Sequence, residues 1–358
     1  MPSFRTSLRL ALIASTLATL SCFGAPGYKG PPSAHFDGTR FHNVPPVPQP
    51  DFGDVLVWMF STGAVPWREA PPVEPTQPPA RVDEGIHITF VNHSTVLIQM
   101  DGIAVLTDPV WSYRVGPVSF VGPSRYADPG VRFEDLPPID AVLVSHSHYD
   151  HCDVPTLRAL EDRFGMPIFA GLGSQEMLAE HDIHGGVDLD WWQSTPIGDS
   201  GVTVTMTPAR HGSQRGLGDR NTVLWGGFVL KGPSGSVFFA GDTASGPHFA
   251  QIKKRLGPPD VALLPIGAYL PRWFMQYIHM DPADAVRAHQ ELGAKRSIGI
   301  HWGTFNQSDE GRFQPAGELM LALRAAGVPE QHFVAAKNGE SFVFGAPIQQ
   351  ARREPETR

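Results

Sequence analysis

The segment 141–153, AVLVSHSHYDHCD, constrains this chain more than any other stretch. An apolar, strand-like run ends at Val144 and gives way to His146-x-His148-x-Asp150-His151. Imidazole and carboxylate are donors that borderline divalent metals prefer. On a strand end followed by a tight loop, this spacing cannot aim all four groups at one ion. His146 and His148 share a face by the strand's period of two, while Asp150 and His151 lie beyond the turn and serve a second ion. Two ions need further donors, and three stand at the ends of other strand-like runs. His211 follows 204–208, Asp242 ends SVFFAGD and His301 ends RSIGIH. The expected site is therefore His146, His148, His211 and Asp242 around one ion, with Asp150, His151, Asp242 and His301 around the other. Asp242 serves both because a carboxylate has two oxygens.

The runs that carry these donors predict a sheet-rich α/β core with helices outside it. Strands are expected at 86–91, 96–100, 104–107, 141–145, 168–170, 202–207, 222–230, 237–240, 261–265 and 297–300. Helices are expected at 155–163, 174–181, 247–255, 282–292 and 315–325, several starting at or beside a proline, where the missing N–H costs nothing. Residues 26–81 are dense in proline and read as an extended strap or linker. Inside it, 54–60 (DVLVWMF) forms a short helix that either packs on the main domain or touches lipid. The main domain runs from 82 to 346, and a charged tail occupies 347–358.

Composition closes off other classes. Two cysteines among 358 residues exclude a disulfide scaffold and a thiolate zinc module, while 15 histidines are enough to build a metal site. A net charge of −8 argues against nucleic acid as a partner, since neutralising phosphates needs clustered Lys and Arg. At the N-terminus, Arg5 and Arg9 precede an apolar run at 10–20 that is too short for a spanning helix and fits a signal-peptide core over 1–25. Cys22 follows Thr-Leu-Ser in a loose likeness to a bacterial lipoprotein box. The readings are lipidation at Cys22, cleavage near Gly24, or an uncleaved anchor or cytosolic start. The first two place the protein outside the cytoplasm, in the cell envelope.

HxHxDH followed by distant His, Asp and His resembles the metallo-β-lactamase superfamily over roughly 86–344. The longer segments NHSTVLIQMDGIAVLTDPVWS, LPPIDAVLVSHSHYDHCD, FFAGDTASGP, PIGAYLPRWFMQYIHMDPADAV and IHWGTF resemble its N-acylphosphatidylethanolamine-hydrolysing phospholipase D branch. The resemblance implies an αββα sandwich with the metals at one edge. It implies two zinc ions per chain, with manganese or iron as alternatives. It also implies a phosphodiesterase acting on N-acylphosphatidylethanolamine or a related phospholipid at a membrane surface. Two ions roughly 3.5–4 Å apart hold a bridging hydroxide as nucleophile, and no Ser or Cys is required. Asp150 then orients that hydroxide.

Other residues carry open assignments. His279 is either a catalytic proton donor or phosphate contact, or a structural partner of Asp281. His93 lies near the metals and substrate, or caps a turn. Asp108 supports the metal loop from behind the ligands. Tyr269, Arg272, Trp273 and Phe274 form an aromatic-cationic cluster that either binds substrate, Arg272 on phosphate and the rings on acyl chain, or is a structural loop. Two other functions compete: a lactonase or β-lactamase-type hydrolase of the same fold, and a metal-bearing envelope protein without turnover. An oligomer is compatible with all of these.

Overall fold

The computed structural model describes residues 25–48, 52–61, 63–68 and 72–345. The expected signal peptide up to residue 24, with Cys22, and the expected tail at 347–358 lie outside the described residues.

Two mixed sheets of seven strands face each other. The first holds β1 (Ile86–Asn92), β2 (Thr95–Met100), β3 (Ile103–Thr107), β4 (Ala141–Val144), β5 (Ile168–Gly171) and β6 (Gly186–Leu189), with β14 (Ser341–Phe344) added outside β1. The second runs in the order β13 (Phe333–Ala335), β12 (Arg296–Ile300), β11 (Val261–Pro265), β10 (Gly235–Phe239), β9 (Gly227–Gly232), β8 (Thr203–Thr207) and β7 (Ser194–Pro196). In each sheet one half is an antiparallel meander and the other is parallel. The parallel runs are β3 to β6 and β10 to β13.

Side-chain alternation explains the layering. On β10, Val237 and Phe239 enter the core between the sheets, while Phe238 faces outward. On β4, Leu143 points inward and Val142 and Val144 outward. The outer face of the first sheet is covered by α2 (Val154–Phe164) and α3 (Ser174–Ala179) through Leu157, Leu160, Met177 and Leu178. The second is covered by α4 (His248–Leu256), α6 (Pro282–Leu292) and α7 (Gln314–Ala326) through Phe249, Ile252, Val286, Leu319 and Leu323. The result is the αββα sandwich. α1 (Phe52–Phe60) and the short α5 (Arg272–Met275) stand outside these layers. Among the described residues, no helix is long and apolar enough to cross a membrane.

Helix boundaries follow local chemistry. α6 begins with Asp281 and Asp284 in a reciprocal capping box with Pro282 next to the cap, and ends on Gly293 at φ 65°. One strand expectation needs correction. Residues 222–226 are not strand; β9 starts only at Gly227. Leu224 N–H donates to Leu172 O and Gly226 N–H to Ser145 O, so this stretch crosses between the sheets beneath the metal loop. Among the described residues of the proline-dense segment, Phe36 and Phe41 are buried in the inter-sheet core, so this part packs on the sandwich.

Candidate metal centre

All seven proposed donors sit on loops leaving strands at one edge of the sandwich. The loop after β4 turns tightly, with His151 N–H and Cys152 N–H both donating to His148 O. This reversal sends His146 and His148 to one side and Asp150 and His151 to the other. Gly241, just before Asp242, has φ 60°, and a Cβ there would lie 2.5 Å from Ser145 Cβ. Glycine is thus required for Asp242 to approach the loop.

Two donor groups result. In the first, His146 Nε2 lies 2.8 Å from His148 Nδ1, and His211 Nε2 lies 3.3 Å from the same atom. In the second, Asp150 Oδ2 is 3.1 Å from His151 Nε2 and 3.5 Å from His301 Nε2. Asp242 Oδ2 stands between them, 4.0 Å from His146 Nε2, 3.8 Å from His211 Nε2, 3.2 Å from His151 Nε2 and 3.1 Å from His301 Nε2. A shared carboxylate is what the sequence pattern implies. His93 joins the second group, with Nε2 2.9 Å from Asp150 Oδ2 and its ring centroid 4.2 Å from that of His301. It is an interior side chain, not a wall of a substrate groove.

Supporting hydrogen bonds set the tautomers. Asp108 is fully buried, accepts from His151 Nδ1 at 2.6 Å, and accepts from Ser145 N–H and Oγ–H. Ser145 Oγ, its proton given to Asp108, is left to accept from His146 Nδ1 at 2.9 Å. His211 Nδ1 donates to Ile278 O at 3.0 Å. In all three rings Nδ1 is thereby occupied and Nε2 is turned to the centre.

Electrostatically, two ionised carboxylates are set among buried imidazoles. Burial would raise Asp150 and Asp242, but the adjacent histidines outweigh it and hold both well below the usual carboxylate range. Burial and neighbouring imidazoles push His93 and His148 down to about 3, and His146 is also far below its ordinary value. His301 is pushed up to about 9, because Asp242 and Asp150 more than offset its burial. His151 Nε2, His301 Nε2 and Asp242 Oδ1 are buried with no hydrogen-bond partner. Unpartnered buried donor atoms converging on two carboxylates are the signature of residues built to hold metal.

The outlying assignments separate. His279 Nδ1 reaches within 3.9 Å of Asp242 Oδ2 and has no hydrogen-bond partner. Tyr269 is buried, and its hydroxyl donates to Glu318, so it does not line a groove. Arg272 is committed to Asp284, Asp281 and His279 O, which removes it as a free phosphate contact and makes it a brace for the His279 loop. Phe274 is buried and stacks on Trp58 of α1 at 5.4 Å, whereas Trp273 is 45% exposed. Sequence reasoning missed Ser145, Asn43 and Glu310. Asn43 hydrogen-bonds the backbone of His211. Buried Glu310 accepts from the amides of Ala268, Tyr269 and Leu270. Beside the metal loop lies a cleft of about 390 Å³, lined in part by Tyr113, Tyr149 and Arg215.

Comparison with known proteins agrees with this geometry. Residues 104–302 match the family described as the beta-lactamase superfamily domain. The chain is 37% identical over 269 residues to the N-acyl-phosphatidylethanolamine-hydrolyzing phospholipase D 1 of Caenorhabditis elegans, covering 72% of this chain and 76% of that protein. It is 28% identical over 308 residues to the mitochondrial N-acyl-phosphatidylethanolamine-hydrolyzing phospholipase D of Saccharomyces cerevisiae, covering 82% of this chain and 65% of the yeast protein. Among solved structures, the isothiocyanate hydrolase from Delia radicum gut bacteria superposes with a TM-score of 0.58 at 20% identity, covering 73% of this chain and 99% of that one. The metallo hydrolase Igni18 of Ignicoccus hospitalis gives 0.53 at 22%, with coverage of 73% and 99%. Seven donors on strand-end loops at one edge of an αββα sandwich, matched over more than half the chain, make this protein a member of the beta-lactamase superfamily, in the branch of the N-acylphosphatidylethanolamine-hydrolysing phospholipases D.

Proposed function

We propose that this hydrolase is a phosphodiesterase of phospholipase D type, acting on N-acylphosphatidylethanolamine or a related phospholipid with two divalent ions, zinc by preference. The observation that carries the reading is Asp242 Oδ2 standing within 4.0 Å of donors from both groups. Identity to the worm phospholipase D supports the substrate class. His146, His148, His211 and Asp242 would hold one ion, and Asp150, His151, Asp242 and His301 the other. Bound there, the pair supplies a hydroxide nucleophile at neutral pH and Lewis-acid charge for the phosphoryl oxygens and the leaving oxygen.

The chain's own groups do the rest. Asp108 holds His151 directly, and His146 through Ser145, in the ligand tautomer. Burial pushes His279 well below the ordinary histidine value, so its imidazole is neutral and serves as a hydrogen-bond donor to substrate beside Asp242. Arg272 keeps it there by holding its carbonyl. Val57 and Phe60 on α1 are 62% and 83% exposed, Trp58 of the same helix stacks on Phe274, and the neighbouring Trp273 is 45% exposed. That apolar rim suits a lipid surface. Export to the cell envelope, by a cleaved signal or a lipid on Cys22, belongs to the same reading.

A lipid hydrolysis screen on metal-quantified protein, with products identified by mass, tests it. Release of an N-acylethanolamine and a phosphatidate supports the proposal. Ring opening of lactones or β-lactams without phosphodiester cleavage would replace it.

A further inference from the structure

The metal centre is completed from a segment far from the metal motif in sequence. Asn43, in the proline-dense strap, is 4% exposed. Its Nδ2 donates to His211 O at 2.8 Å, and its Oδ1 accepts from His211 N–H at 3.2 Å. One planar amide thus grips both backbone polar groups of a single proposed metal ligand, across 168 positions of sequence. Asparagine is suited to this, since it offers a donor and an acceptor on one short, rigid group. Aspartate lacks the donor, and alanine lacks both.

The grip is anchored. Phe36 and Phe41 are buried in the inter-sheet core. Phe41 N–H donates to Asn221 O, and Tyr28 N–H to Thr222 O. His35 pairs with Asp190 at 2.7 Å and stacks on Trp191 at 4.4 Å. Asn43 therefore sits on fixed backbone and can transmit position. His211 lies in the irregular loop after β8, where no strand ladder holds it. The residue before it is fixed from the other side, Arg210 N–H donating to Thr243 Oγ1 and Ala244 N–H to Arg210 O. The clamp from the strap and the contacts from the Asp242 loop together set where His211 Nε2 points. The strap lies outside residues 104–302, which carry the family match.

We infer that Asn43 is a positioning residue for His211, and that the strap is a working part of the metal centre. The inference rests on the metal reading of His211 but not on any substrate. It is tested on the full chain, stripped of metal, with Asn43→Ala and the isosteric Asn43→Asp, and with exposed His42→Ala as control. Two readouts are taken. In a zinc titration against a chelator, both Asn43 variants should bind about 10- to 100-fold more weakly than wild type, the range expected when a residue supporting a ligand is lost. In metal-free protein, amide exchange at His211 should speed up at least about tenfold in Asn43→Ala, where the acceptor is gone, and much less in Asn43→Asp, which keeps it. His42→Ala should match wild type in both. Zinc affinities within twofold of wild type, with unchanged exchange at His211, would overturn the inference. If Asn43→Ala fails to fold, Asn43→Asp decides by the titration. If wild type binds no zinc, the metal reading falls, and the exchange ratio still decides whether Asn43 holds His211.

Discussion

Replacing Asp108 by Asn should disable both donor groups at once, although Asp108 is not itself assigned to an ion. Its carboxylate accepts from His151 Nδ1, Ser145 N and Ser145 Oγ, at 2.6, 2.7 and 2.6 Å. An asparagine of the same shape keeps one oxygen for Ser145 N–H. Its Nδ2 then meets His151 and Ser145 Oγ as a donor. His151 must accept at Nδ1, which moves its proton to Nε2 and removes the lone pair that faces Asp150 and Asp242. Ser145 Oγ, no longer donating to a carboxylate, turns its proton toward His146 Nδ1 and forces the same flip there. Loss of one such support typically costs 10- to 100-fold in metal affinity, so each zinc should be held about 1.4–2.7 kcal/mol less tightly. Zinc titration of metal-free wild type and Asp108→Asn against a chelator measures this, with thermal melting of the metal-free forms as the folding check. Affinities within twofold of wild type in a folded variant would refute the tautomer argument.

Two further outcomes follow from groups outside the donor set. His248 is buried on α4, and burial, reinforced by Arg210, pushes it down to about 3. The unfolded chain takes up this proton near pH 6.5 and the folded one only near 3, so the stability it confers is whole above 6.5 and is lost as pH falls between those values. Between pH 7 and 5, His248→Gln should lose about 2 kcal/mol less stability than wild type by denaturant titration of metal-free protein; parallel curves would contradict this. Gly241→Ala places a Cβ 2.5 Å from Ser145 Cβ at a φ of 60°. It should cost about 1–3 kcal/mol in melting of the metal-free protein and weaken zinc binding, and a silent substitution would show that the Asp242 loop is not pressed against Ser145.

The centre was largely legible in the sequence because its donors are either contiguous, as in His146 to His151, or the terminal polar residue of a buried β-run, as in Asp242 and His301. Of what holds the donors, Asp108 was legible from its place in LTDP, but the more distant supports were not. Asn43 and Glu310 act across long sequence separations on backbone atoms, and no local pattern marks a side chain that pairs with a distant amide. The aromatic-cationic cluster shows a related limit. The resemblance of the segment 265–286 places Tyr269, Arg272 and Phe274 near the site, but only packing reveals that Glu318, Asp284 and Trp58 already engage them. The strand expected at 222–230 fails at its start because its apolar residues cross between sheets, where burial without a ladder looks the same in sequence. The strands GVDL and STP escape notice because they are short and carry little alternation.

The central claim is that one carboxylate joins two metal positions. Anomalous X-ray scattering from crystals of zinc-loaded protein at the zinc edge tests it most directly. Two peaks on either side of Asp242 are predicted, one against His146, His148 and His211, the other against Asp150, His151 and His301. A single peak in fully loaded protein, or a pair with Asp242 bound to only one, would contradict it.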